Sequence, residues 1–213
     1  MYVPSHFAAD DAVVQDLLTN HGAANLITST ADGLLATFLP LIYDASAGTL
    51  LGHVARNNPQ WKTPALGEAL AIVAGPDAYI SPSSYASKAE HGRVVPTWNY
   101  VTAHVYGTLV IHDDPTWLEA LVRRLTVKHE SALAAPWSVD DAPAPYIAGQ
   151  LRAIVGLELQ ITRIEAKAKL SQNRSTADIE GVITTLESTG PTPTPTSIST
   201  AMRTTNNLPH PTP

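Results

Sequence analysis

Ala23-Ala24-Asn25-Leu26-Ile27-Thr28-Ser29 and Leu34-Leu35-Ala36-Thr37-Phe38-Leu39-Pro40-Leu41-Ile42 are β-rich runs joined through Ala31-Asp32-Gly33. Their reading sets the fold. Glycine takes positive φ at little steric cost, so Ala31-Asp32-Gly33, and then Ala45-Ser46-Ala47-Gly48, read as hairpin connections. Further strands are expected over Thr49–Ala55, Glu68–Ala74 and Arg93–Ile111. Short strands at this spacing predict a barrel or a sandwich. Later in the chain Val155, Leu157, Leu159 and Ile161 alternate with Gly156, Glu158, Gln160 and Thr162, the pattern of one long strand with two unlike faces.

Helices frame these strands. Val13, Val14, Leu17 and Leu18 share a stripe within Asp10–Asn20. Asp114 as cap and Pro115 at the first helical position start a second helix, with Trp117, Leu118, Leu121, Val122 and Leu125 on one face, running to about Leu133. A short helical segment is expected after the proline-rich Pro136–Pro145 stretch. Ser175 caps a last helix in which Ile179, Val182, Ile183 and Leu186 recur at helical spacing. The fold class expected is mainly β with peripheral helices (α+β). Residues 1–187 read as one domain. Residues 188–213, rich in proline and threonine, read as a flexible tail.

The chain has 213 residues, 44% hydrophobic and 15% charged, enough for a sizeable core. Having no cysteine, it can form no disulfide, thiolate metal site or thiol nucleophile. The histidines are scattered rather than spaced as metal ligands, so no metal site is expected. There is no Walker loop, G-x-G-x-x-G, G-x-S-x-G or H-E-x-x-H. A formal charge of −6 has the wrong sign for attraction to phosphate backbones, which disfavours direct DNA binding. No apolar run is long enough to cross a bilayer and the first residues lack a secretory pattern, so the expectation is a cytoplasmic protein that does not engage a membrane.

Certain stretches mix cations, amides and aromatics where a plain barrel would only alternate. Gly52-His53-Val54-Ala55-Arg56-Asn57-Asn58-Pro59-Gln60-Trp61 ends a strand on a cation and amides that can meet a phosphate, although an ordinary strand-ending loop accounts for them equally well. Lys88-Ala89-Glu90-His91-Gly92-Arg93 with Val95-Pro96-Thr97-Trp98-Asn99-Tyr100 offers stacking surfaces and donors together; Trp98 and Tyr100 suit a core or a subunit interface as well as a ligand. Lys167-Ala168-Lys169-Leu170-Ser171-Gln172-Asn173-Arg174 follows the long strand. It could bind the polar edge of a flat heterocycle or form a solvated turn leading to the Ser175 cap.

Together with the opening Met1-Tyr2-x-Pro4-x-His6-Phe7, the Leu39-Pro40-Leu41 strand and Lys128-His129-Glu130, these stretches resemble the PaiB family, whose members are FMN-binding split β-barrels described as negative transcriptional regulators. The likeness spans Met1 to about Leu186. It implies a homodimer with FMN at the subunit interface. Arg56, Asn58 and Lys88 would meet the phosphate or ribityl chain. Thr97, Trp98, Asn99, Lys169, Ser171, Gln172 and Asn173 would meet the ring. Ser84 and Ala168 depart from the family, which usually carries tryptophan at both positions. The function implied is transcriptional repression, with an FMN-dependent oxidoreductase of reductase or oxidase type as the alternative. No side chain stands out as a catalytic acid, base or nucleophile.

Overall fold

Alternation of buried and exposed residues along β1, β4 and β5, with a more fully buried β3, is what lets these segments form a barrel. The computed structural model describes residues 1–20, 22–189 and 197–210. In chain order the elements are α1 (Asp11–Asn20), β1 (Ala23–Thr30), β2 (Gly33–Asp44), β3 (Thr49–Ala55), β4 (Ala69–Ile80), α2 (Ser87–His91), β5 (Thr97–His112), α3 (Pro115–Glu130), α4 (Ala144–Arg152), β6 (Ile154–Lys169), α5 (Thr176–Thr189) and α6 (Ile198–Thr205). The strands follow the order β1-β2-β3-β6-β5-β4 and close into a barrel. Closure comes from antiparallel pairing of β1 with β4, Asn25 opposite Ile72 and Ile27 opposite Leu70. The β1–β2 hairpin pairs Thr30 with Gly33, whose φ of 115° is the left-handed backbone its sequence position anticipated.

The backbone divides into two compact units. The first, Leu18–Val73 with His104–Ile164, holds the barrel closure. Leu26, Leu39, Leu50, Val105, Val155, Leu157 and Leu159 fill its interior. On its surface Asp114 caps α3 by accepting from the Trp117 N–H at 3.0 Å, and Leu121 and Leu125 pack with Ile42 and Leu51. The Trp117 ring stacks on His112 at 4.0 Å, and His112 Nε2 lies 2.7 Å from Glu158 Oε2. Gly156 makes this stack possible, since a Cβ there would sit 2.2 Å from the Trp117 ring.

The second unit comprises Met1–Leu17, Ala74–Ala103 and the described residues from Glu165 onward. Ile179, Val182 and Ile183 of α5 form its core with Leu170. Asp178, 3% exposed, accepts from both the N–H and the hydroxyl of Ser87 at 2.9 Å, tying α5 to α2. Burial pushes the Asp178 pKa up, but the two Ser87 donors, together with the nearby Arg174 charge and Ser175, outweigh it and hold the carboxyl below its ordinary value of 3.8. A depressed folded-state value contributes stability above the unfolded pKa and loses it as pH falls through the folded one. Asp178→Ala is therefore expected to cost about 1–3 kcal/mol in urea unfolding at neutral pH, by leaving the buried Ser87 N–H unpaired. The gap to wild type should narrow when unfolding is repeated below the ordinary carboxyl value of 3.8.

Several boundaries differ from those the sequence suggests. β4 runs on to Ile80 and β6 to Lys169, past the point where hydrophobic alternation fades. β5 begins at Thr97 rather than Arg93. The expected flexible tail is corrected in part: residues 190–196 and 211–213 lie outside the described residues, but Ile198–Thr205 form α6. Ser197 caps that helix and its Met202 is fully buried. Its apolar and small residues bury once a surface exists to receive them, a partner no local composition reveals.

Candidate functional site

The expected contacts fall into the two units and are treated unit by unit. In the barrel unit the Arg56 guanidinium is largely spent on the protein itself. Its Nε donates to the Arg152 carbonyl at 2.6 Å, Nη2 donates to the Ile154 carbonyl at 3.0 Å, and both Nη atoms meet the Asp113 carboxylate. The hydrogen bonds to Asp113 raise the Arg56 pKa and those from Arg56 lower that of Asp113. Asn58 caps the short turn Pro59–Trp61, accepting from the Gln60 N–H at 2.8 Å, while its Nδ2 donates to Thr37 Oγ1 at 2.9 Å. Gln60, 2% exposed, reaches into the barrel wall and donates to the Leu26 carbonyl at 3.0 Å. In this structure Arg56 and Asn58 fasten the end of β3 to its neighbours.

In the second unit the start of β5 and the end of β6 lie side by side. Lys169 Nζ donates to Thr97 Oγ1 at 2.8 Å and to the Trp98 carbonyl at 2.7 Å. Trp98 remains 47% exposed, with its ring 6.1 Å from that of Tyr79. Asn99 is fully buried; its Nδ2 donates to Ser171 Oγ at 2.9 Å, and its Oδ1 has no partner among the described residues. Ser171 is 4% exposed. Gln172 folds back on its own turn, accepting from the Leu170 N–H at 2.7 Å and donating to the Ala168 carbonyl at 2.5 Å. Asn173 is exposed. Lys88 is exposed too, and donates to Ser83 Oγ at 2.9 Å. The structure thus joins Thr97, Trp98, Asn99, Lys169 and Ser171 in one cluster, with Thr97, Trp98 and Lys169 at its accessible side.

Charge around this cluster is one-sided. Burial lowers the Lys169 pKa, and the neighbouring cations Lys167 and Arg174 lower it further. Lys167 Nζ lies 5.5 Å from the Tyr100 ring centroid, 5.9 Å from Tyr2 and 6.0 Å from Phe7. Ala8 bridges to Lys167, which adds the opening segment to the end of β6. Reading Lys167 and Lys169 alone misses these rings; the signal for them was the opening Tyr2-x-Pro4-x-His6-Phe7. A half-buried ammonium depressed by like charge is relieved by an anion, and the donors beside it suit a polar ring edge, so these residues fit a flavin nucleotide. Of the departures from the family, Ala168 is 2% exposed, and Ser84 borders a pocket of about 210 Å³ with Tyr79, Ile80, Val182 and Leu186. Among the described residues no group of three or more His, Asp or Glu could hold a metal ion, and no helix is long and apolar enough to cross a membrane.

The closed strand order is that of a split barrel. Among solved structures it is similar to the flavocytochrome Anf3 of Azotobacter vinelandii (TM-score 0.56, 14% identity, 78% of this chain and 72% of that one). It is also similar to the FAD and heme binding protein of Mycobacterium smegmatis (TM-score 0.52, 17% identity, 83% and 80%). At these identities the likeness shows the fold. The family described as "Putative FMN-binding domain" matches residues 1–163. The Protease synthase and sporulation protein PAI 2 of Bacillus subtilis is 32% identical, over 88% of this chain and 89% of its own length. An uncharacterized protein of Emericella nidulans, AN0679, is 31% identical over 87% and 89%. The chain belongs to the PaiB family of FMN-binding split-barrel proteins.

Proposed function

We propose that this chain works as an FMN-binding homodimer that acts as a negative regulator of transcription, with the flavin rather than a DNA-reading helix as its responsive part. The observation that carries the flavin assignment is Lys169, held between Thr97 and Trp98 among like charges. Bound FMN supplies one- or two-electron redox chemistry at its ring. The chain's own contribution is to orient that ring with Thr97 and Trp98 and to place a cation at its polar edge. Large exposed apolar side chains, Leu34 at 74% and Phe38 at 70%, support a second copy as partner. Regulation without direct DNA reading is supported by α3. Its Arg123 is held by Glu119 and Asp140 and its Arg124 by Asp44, so neither is free for phosphates. The name of the Bacillus subtilis relative ties that protein to protease synthesis and sporulation.

Titrating purified protein with FMN is expected to quench flavin fluorescence at one site per chain, with light scattering reporting twice the chain mass. A monomer that leaves FMN fluorescence unchanged would sink both parts. A mobility shift at low salt that depends on FMN would move the DNA contact back into this chain. The oxidoreductase reading draws on the same lysine, since a cation at the ring edge stabilises reduced anionic flavin. Anaerobic bleaching of the bound flavin by NADH or NADPH would favour it over a regulator.

A further inference from the structure

We propose that the C-terminal helix α6 is a positioning element of the FMN site, with Met202 and Asn206 fixing the buried Asn99–Ser171 pair that sets Lys169 and Trp98 in place. This rests on the flavin reading above. Asn99 and Met202 are fully buried and Ser171 is 4% exposed, so this pair stands behind the accessible residues rather than among them.

The ties run in order from α6 to the lysine. Asn206 Nδ2 donates to the Leu170 carbonyl at 3.1 Å, clamping the residue next to Lys169. Asn99 Nδ2 donates to Ser171 Oγ at 2.9 Å and to Met202 Sδ at 3.4 Å, joining β5, the turn after β6 and α6 at one amide. With Oδ1 buried and unpartnered, that amide has reason to turn over if the sulfur is lost. Ser171 has φ of 69°, left-handed backbone that a residue with a Cβ keeps only where its surroundings hold it. The helix is fastened in turn by Arg203, whose Nε and Nη2 meet the Glu187 carboxylate at 3.0 and 2.9 Å. Lys169 is thus located from both flanks: its own strand end through Leu170 and Asn206, and its partners Thr97 and Trp98 through Asn99 and Met202. The residues that do this fixing lie beyond the matched residues 1–163 for α6 and Ser171.

The test uses the full chain carrying Asn206→Ala, Met202→Ala or Met202→Leu. Four quantities are compared with wild type: FMN affinity, the reduction potential of bound flavin, melting temperature, and amide hydrogen exchange over residues 97–99 and 169–173. Losing one clamping hydrogen bond should weaken FMN binding about tenfold. Asn206→Ala and Met202→Ala are expected to show that loss, faster exchange in both segments, and a shifted potential at saturating FMN. Met202→Leu, which keeps the volume, should recover most of the affinity. A purely structural helix would lower the melting temperature yet leave the potential of bound flavin where it was, and that result overturns the proposal. Should Met202→Ala fail to fold, the partly exposed Asn206 decides. Should wild type bind no FMN, the flavin reading falls, and unchanged exchange at 97–99 and 169–173 in Asn206→Ala separately overturns the role of α6.

Discussion

Gly107→Ala is expected to lose about 4 kcal/mol or more of folding stability, enough to leave the barrel largely unfolded at physiological temperature. A Cβ at this position would lie 2.1 Å from the Gln160 carbonyl oxygen, 2.8 Å from its carbon and 3.2 Å from Ile161 Cα. All three are backbone atoms of β6, the neighbour of β5 in the closed order, so no flexible side chain can yield. Relief requires the two strands to separate, which breaks ladder hydrogen bonds in a sheet with no free edge to absorb the shift. Gly149→Ala in α4 serves as the opposite control. Its nearest neighbour would be Arg152 Nη2 at 3.9 Å, and alanine should add about 0.5–1 kcal/mol through helix propensity. Urea denaturation followed by circular dichroism reads both; a Gly107→Ala protein as stable as wild type would refute the close β5–β6 approach.

Lys169→Met is expected to weaken FMN binding by roughly tenfold to a hundredfold, the range for losing a hydrogen bond from a charged donor. Methionine keeps an unbranched apolar stem and removes the ammonium that donates to Thr97 and the Trp98 carbonyl. The pH dependence follows from the sign of the shift. Burial, with help from Lys167 and Arg174, lowers the Lys169 pKa from its ordinary 10.5, so the free protein loses this charge at a lower pH than an exposed lysine would. An anionic ligand favours the protonated form. FMN affinity in wild type should therefore decline as pH rises through that lowered value, and Lys169→Met should flatten this limb. Isothermal titration across the alkaline range separates the two outcomes. A decline that survives in Lys169→Met would assign the titration to another group.

On the proposed reading, flavin occupancy and fold stability would draw on different residues of this chain. Arg56 and Asn58, the cation and amide that a phosphate-binding corner would recruit, have most of their donors engaged by Asp113, Arg152, Ile154 and Thr37. Lys169 instead sits where burial and like charge make an anion welcome. A regulator built this way would couple flavin state to its surface through Trp98, which is half exposed and adjoins the lysine through its own carbonyl.

The amino-acid sequence by itself determined the strands, their hairpins and the caps of the helices. Gly33 and Gly48 take the positive φ their turns need, and Asp114 caps α3, because turns and caps are satisfied by residues a few positions apart. It also placed Arg56, Asn58, Lys88, Thr97–Asn99, Lys169 and Ser171–Asn173 among the residues of interest, since cations and amides interrupting a strand pattern are visible without coordinates. Only the tertiary structure decided which of these residues face outward and which stand behind. The end of α4 and the start of β6 bring the carbonyls of Arg152 and Ile154 to the Arg56 guanidinium, partners that its own stretch of sequence does not contain. Asn99 is covered by Met202 of α6, from a stretch whose composition reads as a tail. The reason is common to both: a side-chain hydrogen bond is directional and short, and its partner is chosen by a long-range approach of backbone segments that no local pattern encodes.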